Sequence, residues 1–273
     1  GTITVLTNKN TPTINVDLIE SFVAIASMVL KRKYYENELA ELNNMQNKLF
    51  SVIGHDLKSP ISNVLSYTDM ILNDYDSFSN ESLYEFFQSI QRSANSGFDI
   101  LNSLLLWSKS VQGGIPINPV LIDIQEKVAE AIEQVMPLAV KKSIKVSNNI
   151  DKSIFILADK NMTITVMRNL LSNAIKFTRL NGNIQFDLTI KKDIVFLSIT
   201  DDGIGMNETQ LSKLFVLDNL HIGRGTAGER GSGFGLLICK DFVEKNGGNI
   251  QAESKLNKGS VFTISFPLIN EES

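Results

Sequence analysis

The chain has 273 residues, of which 43% are hydrophobic, and carries 26 Lys and Arg against 30 Asp and Glu for a formal charge of −4. That composition supports two compact domains with buried cores rather than intrinsic disorder, and it offers no basic field for a nucleic-acid backbone. The single cysteine, Cys239, cannot close an internal disulfide, so a reducing, cytoplasmic setting is expected and nucleic acid is not expected as a partner.

Gly1 is followed by the alternation Thr2-Ile3-Thr4-Val5-Leu6. It reads as a strand entered in mid-fold without the charged-then-apolar order of a signal peptide, so the chain is expected to start inside a larger protein. Val16 to about Asn73 reads as one long helix, with no glycine or proline after Val16 until Gly54. Its longest apolar stretch, Phe22 to Leu30, is about half the ~20 residues a membrane span needs, so no membrane segment is expected. Leu18, Ile19, Phe22, Val23, Ala26, Val29 and Leu30 give this helix a broad apolar face. Tyr35, Leu39, Leu42, Gln46, Leu49 and Ile53 then alternate steps of four and three, the seam of a parallel two-stranded coiled coil.

Leu57, Ile61, Val64, Thr68 and Ile71 continue an apolar face until Asn73 to Ser77 breaks it with turn chemistry. A second helix is predicted from about Glu81 to Val111, with Leu83, Phe86, Phe87, Ile90, Ala94, Gly97, Leu101, Leu104 and Leu105 on one face. Two such helices cannot seal a core alone, but two hairpins make a four-helix bundle, so a homodimer is expected. Trp107 and the phenylalanines of this region read as core.

Gln112 to Pro116 is a compact linker, and beyond it strand and helix patterns alternate. Strands are predicted near 118–122, 144–149, 154–158, 183–190, 194–200, 249–254 and 260–267, and helices at 124–141, 159–178 and 234–246, with a short helix and a glycine-rich loop before the last. Helices grouped against a mixed, mostly antiparallel sheet give an α/β sandwich and an α+β chain overall.

His55 lies in Phe50-Ser51-Val52-Ile53-Gly54-His55-Asp56-Leu57-Lys58-Ser59-Pro60. At about 100° per residue it points away from the apolar face, and an ordinary histidine with pKa ~6.5 is roughly three-quarters neutral and nucleophilic at pH 7. A lone surface histidine is usually filler. Pro60 inside the helix removes a backbone hydrogen bond at a cost of ~3 kcal/mol, a defect that sequences rarely keep without use, and Asp56 is placed to take the imidazole proton by a side-chain swing.

Asn169, Asn173 and Lys176 fall at i, i+4 and i+7 on one helix. They present hard amide oxygens suited to Mg²⁺ and an ammonium suited to phosphate, although a solvated outer face would look alike. Thr200-Asp201-Asp202-Gly203-Ile204-Gly205 follows a strand. It reads either as a hairpin turn or as a carboxylate accepting from an exocyclic amine such as adenine's, with glycines letting backbone lie against the base. Gly228 to Leu236 opens a helix with glycines at Gly231, Gly233 and Gly235; exposed amides at a helix start suit phosphate, and a flexible connector would also fit.

In this order the set resembles the sensor histidine kinases, whose catalytic half belongs to the GHKL group of ATPases. The resemblance covers roughly Lys48 to Pro267: Phe50 to Pro60 is similar to the phosphoacceptor box, Asn169 to Thr178 to the asparagine box, Asp201 to Gly205 to the first glycine box and Gly231 to Leu236 to the second. It implies that His55 is phosphorylated from MgATP, with Asp56 as base or orienting partner. It implies that Asn173 binds Mg²⁺, that Asn169 and Lys176 lie near the phosphates, that Phe177 lies against the base, and that Asp201 takes the adenine amine with Gly203 and Gly205 beside it. Gly231, Gly233, Gly235 and Leu236 would form the phosphate loop. Residues 216–230 would be the lid, with Arg224 or Arg230 meeting the γ-phosphate. The partner implied is a response-regulator receiver domain.

The resemblance divides the chain into a GAF-type sensor remnant at 1–15, a signalling coiled coil at 16–47, a dimerisation and phosphotransfer domain at 48–112 and an ATP-binding domain at 113–273. Relatives that also dephosphorylate their partner often carry Thr or Asn four residues after the histidine. Here Ser59 stands there and is the phosphatase candidate. His221 matches no family role and reads as solvent-exposed. A degenerate scaffold and a clamp-type GHKL ATPase are the rival functions; Asn169 rather than an acid four residues before Asn173 speaks against the latter.

Overall fold

The computed structural model describes the backbone of residues 16–111, 114–216, 223, 225–229 and 233–268, and their side chains except 16–18, 38–39, 41–53, 55–56 and 111. The predicted strand and sensor remnant in residues 1–15, His221, Arg224, Arg230 and Gly231 lie outside the described residues, and the coiled-coil positions from Leu39 to Ile53 lie outside the described side chains. Residues divide into two compact units, 1–52 and 53–273.

Helix α1 runs Val16–Asp74 over 59 residues and contains Pro60. In the first unit it exposes Phe22, Ile25, Met28, Val29 and Leu30, with Tyr34 and Tyr35 edge to face at 5.8 Å and Arg32 Nε donating to Glu36 at 2.7 Å. Among the described residues no helix is long and apolar enough to cross a membrane.

In the second unit the last part of α1 turns through a 3₁₀ segment, Tyr75–Ser77, into α2, Asn80–Val111. The turn forms because Ser77 Oγ donates to the Asp74 carbonyl at 2.6 Å, while Ser79 Oγ accepts from Ser82 N at 3.2 Å and caps α2. Aromatic contacts close the hairpin: Phe86 lies 5.7 Å from Tyr67 and 5.0 Å from Phe78. Pro60 is buried and faces Gly97, where an added methyl would meet its ring at 3.6 Å. Ile61, Leu65, Leu72, Phe87, Phe98, Leu101 and Leu105 remain exposed.

The α/β layer follows as β1 (Pro119–Asp123), α3 (Ile124–Lys141), β2 (Lys145–Asn148), β3 (Phe155–Asp159), α4 (Lys160–Phe177), β4 (Asn183–Lys191), β5 (Ile194–Asp201), α5 (Glu208–Ser212), α6 (Gly235–Lys245), β6 (Asn249–Lys255) and β7 (Gly259–Pro267). The main sheet has the order β2-β4-β5-β7-β6. Only β2 pairs in parallel, Lys145 opposite Asn183, and β1 and β3 form a separate antiparallel pair with Leu121 opposite Leu157. Helix starts are fixed by side-chain caps. Asp123 accepts from Gln125 N at 2.9 Å, Asp159 accepts from Asn161 N and Met162 N at 2.9 and 3.0 Å, and Asn207 and Gln210 form a reciprocal capping box.

Alternating strand residues Ile184, Phe186, Val195, Leu197, Ile199, Ile264 and Phe266 are buried together with Val128 and Ala131 of α3, Val166, Leu170 and Leu171 of α4, and Ile238 and Phe242 of α6. That is the core. Trp107 near the end of α2 is buried with its ring 6.2 Å from Phe234, and Ser110 beside it donates to Asp241. Lys245 Nζ donates to the Ser110 carbonyl at 2.8 Å and lies 2.9 Å from Asp241. The last turn of α2 is therefore seated on α6, so one compact unit runs across the linker position at which the sequence pattern changes.

Candidate functional site

A cavity of about 1280 Å³ opens beside α4. It exists because α4 presents its polar stripe on the side away from Leu170 and Leu171: Asn169, Asn173 and Lys176 all line it, joined by Phe177, Asp201, Gly205, Gly233, Gly235 and Leu236. Of the predicted set, Gly203 is absent from the lining. It is buried against the Phe177 carbonyl, which a methyl group at 203 would overlap. Gly205 has φ +61 and lies against the Lys255 carbonyl, and Gly259, with φ +99, lies against the Asp201 carbonyl. What these glycines admit is thus close approach of protein backbone.

Asp201 ends β5 with its side chain buried and accepts from Gly203 N at 2.9 Å. Burial pushes its carboxyl up to about 6, against the opposing pull of the Gly203 and Ser260 amides. A desolvated acceptor held in place by backbone amides is suited to a polar donor entering the cavity.

Lys176 Nζ lies 4.7 Å above the Phe177 ring. Burial holds its ammonium below the usual lysine range, and the nearby Glu229 charge opposes that. The Cys239 thiol donates to the Val166 carbonyl at 3.8 Å, and complete burial pushes its pKa up to about 12. Cys239 is a core thiol. Asn173 is half-buried, and its amide oxygen is the hard donor of the stripe. Among the described residues no cluster of three or more His, Cys, Asp or Glu forms a metal centre.

His55 and Asp56 lie in α1 one turn before Pro60. Pro60, Asn63 and Tyr67 of the same helix line the cavity, and Ser59 is half-buried beside them. The opposite rim was not read from the sequence. Ser89, Arg92, Ser96, Asp99, Ser103 and Leu106 of α2 line it, spaced by alternating threes and fours on the side away from the apolar face. That periodicity was the signal. Partial burial raises the Asp99 carboxyl, and the Arg168 charge on α4 opposes the rise.

The segment leading into the glycine-rich loop is also built into the site. Gly223, Gly228 and Glu229 line the cavity, and Thr226 N donates to the Lys176 carbonyl at 3.0 Å. Burial works against the Glu229 carboxylate, but its own amide, that of Ala227 and Lys142 outweigh it and hold the group below the usual range. Lys142 carried no sequence signal, because a lysine pair at a helix end reads as solvated.

Two domain families match the chain. Residues 45–113 match the His Kinase A (phospho-acceptor) domain, and residues 158–270 match the histidine kinase-, DNA gyrase B- and HSP90-like ATPases. A phospho-acceptor hairpin followed by an ATPase domain of this kind defines the sensor histidine kinases, and the chain belongs to that family.

Its relatives include sensor protein KdpD of Clostridium acetobutylicum, 28% identical over 92% of this chain and 28% of the relative. Another is the adaptive-response sensory kinase SasA of Prochlorococcus marinus, 28% identical over 85% of this chain and 62% of the relative. The chain therefore spans less than two-thirds of either. Among solved structures, histidine kinase AdeS of Acinetobacter baumannii shares the fold at a TM-score of 0.62 and 19% identity, covering 79% of this chain and 98% of that one. Histidine kinase ThkA, solved in complex with response regulator protein TrrA, shares it at 0.64 and 18%, covering 89% and 67%.

Proposed function

We propose that the chain is the cytoplasmic kinase core of a sensor histidine kinase that transfers the γ-phosphoryl group of ATP to His55 and then to an aspartate of a response-regulator receiver domain. In this reading residues 1–15 belong to an upstream sensor, 16–47 to a signalling coiled coil, 48–112 to the phosphotransfer hairpin and 113–273 to the ATP-binding domain. The observation that carries it is one cavity whose wall includes Asn169, Asn173, Lys176 and Asp201 on one side and Pro60 and Asn63, on the helix that bears His55, on the other.

Asp201 accepts the adenine amine, Phe177 flanks the base, and Asn169 and Lys176 meet the phosphates, with Gly231, Gly233, Gly235 and Leu236 beneath them and Arg224 or Arg230 from the lid. The half-buried Asn173 amide has no hydrogen-bond partner among the described residues. It fits Mg²⁺, which keeps most of its ligands as water and phosphate and supplies charge neutralisation. A ring nitrogen of neutral His55 attacks the γ-phosphorus; the P–N bond forms as the bridging P–O bond breaks, ADP leaves with that electron pair, and Asp56 takes the proton from the other nitrogen. Positioning and charge neutralisation provide most of the acceleration.

The exposed Ile61, Leu65, Leu101 and Leu105 on the hairpin support a second copy of the chain as partner, completing a four-helix bundle. Ser59 is the candidate for positioning a hydrolytic water.

The test mixes His55→Gln subunits with Asn173→Ala subunits and incubates them with γ-labelled ATP. Wild type should gain acid-labile phosphate, each variant alone should not, and label in the mixture reports transfer between subunits. Wild type that binds ATP without gaining acid-labile phosphate overturns the kinase reading in favour of a scaffold. ATP turnover indifferent to His55→Gln points instead to a clamp-type ATPase.

A further inference from the structure

Lys142 follows α3 and belongs to none of the sequence boxes, yet it is 6% exposed. Its ammonium donates to the Ile175 carbonyl at 2.7 Å and the Lys176 carbonyl at 3.1 Å, and to Thr226 Oγ1 at 2.6 Å and Glu229 Oε1 at 3.1 Å. Two of these acceptors are carbonyls in the last turn of α4, where the helix dipole favours a cation. The other two belong to the segment that leads from the lid into the glycine-rich loop. That segment is itself tightly tied. Glu229 Oε2 accepts from Ala227 N at 2.8 Å, Gly225 N donates to the Glu229 carbonyl at 2.8 Å, and Thr226 Oγ1 donates to the Thr178 carbonyl at 2.6 Å. Gly225 is needed as well, since a methyl there would overlap Glu229 and Lys176.

We propose that Lys142 is a positioning residue for the nucleotide phosphates: its buried ammonium fixes the return end of the lid, Gly225 to Glu229, to the end of α4 that carries Asn173 and Lys176. The proposal rests on the nucleotide reading above. A buried ammonium whose three N–H donors are shared among oxygens of two chain segments holds those segments together, because separating them takes the Thr226 and Glu229 acceptors from a charge that is itself 6% exposed. Lys142 is absent from the cavity lining, so it acts through the lid and α4 without touching ATP. Fixing the turn keeps Gly228 and Glu229 in the cavity lining, whereas the Asp201 carboxylate is held separately by the Gly203 amide.

The experiment compares ATP with adenosine, which shares the base but lacks the phosphates. Titration calorimetry on wild type, Lys142→Met and Lys142→Arg should show Lys142→Met weakening ATP about tenfold if the seated turn falls to about a tenth of the population. Adenosine affinity should stay unchanged, and Lys142→Arg should recover part of the ATP affinity. Backbone amide exchange at Gly225, Thr226 and Ala227 should quicken in Lys142→Met. Should that variant fail to fold, Thr226→Ala with Glu229→Ala removes both lid acceptors, keeps Lys142 on the α4 carbonyls, and should give the same ATP-selective loss. Equal weakening of ATP and adenosine, or faster exchange with ATP affinity intact, overturns the proposal while leaving the nucleotide reading standing. Wild type that binds neither ligand overturns both.

Discussion

Asp201→Asn separates folding from binding. The carboxyl is displaced by burial from 3.8 to about 6, which corresponds to about 3 kcal/mol by which folding disfavours the charged form at neutral pH. Because the folded group binds its proton more tightly than the unfolded one, this penalty grows as pH rises from 3.8 to about 6 and is constant above. The amide removes the charge but loses an acceptor for one backbone N–H, which returns about 1–2 kcal/mol of the gain. The apoprotein should therefore be stabilised by about 1–2 kcal/mol at pH 7.5, raising Tm by about 4 °C. The charge penalty removed shrinks by about half at pH 5. ATP affinity should fall about tenfold, since a charge-assisted hydrogen bond becomes neutral. Wild-type affinity should drop about tenfold per pH unit below about 6, as the acceptor is protonated, and the variant's should not follow. Scanning calorimetry and ATP titration from pH 5 to 8 read all of this. An Asp201→Asn protein that melts lower at pH 7.5, or a wild-type affinity flat through pH 6, would refute the reasoning.

Three further outcomes follow from the backbone and core. Ser143 adopts φ 53 just past α3, so Ser143→Gly should gain about 1 kcal/mol in urea unfolding while Ser143→Ala gains nothing. Leu171 is completely buried, and Leu171→Ala should cost about 3 kcal/mol, lowering Tm by about 9 °C with secondary structure retained in circular dichroism. Gly205→Ala forces a methyl against the Lys255 carbonyl at φ +61; it should cost about 3 kcal/mol in the same urea titration and weaken ATP as Asp201 shifts.

Element positions were legible because caps and periodicity are local. Asp123 and Asp159 mark the starts of α3 and α4, and alternation along Ile194–Asp201 gives β5 its buried face. The polar stripe of α4 was legible for the same reason. Strand order was not, since the parallel pairing of β2 with β4 is decided by packing between residues far apart in the chain. The glycine boxes were legible as motifs, but the backbone contacts of the first were not: Gly203 and Gly205 press against carbonyls from Phe177 and Lys255, contacts that exist only after folding. Lys142 is the clearest omission. Its four acceptors lie 33 to 87 residues away, and no spacing rule connects them.

Helix α6 touches two sites. Gly235 and Leu236 at its first turn line the cavity, while Asp241 and Lys245 grip Ser110 at the end of α2. Eleven residues make a rod of about 16 Å that does not stretch. A twist imposed on the final turn of α2 must either break that grip or carry α6, and with it Gly235 and Leu236 of the cavity wall, along.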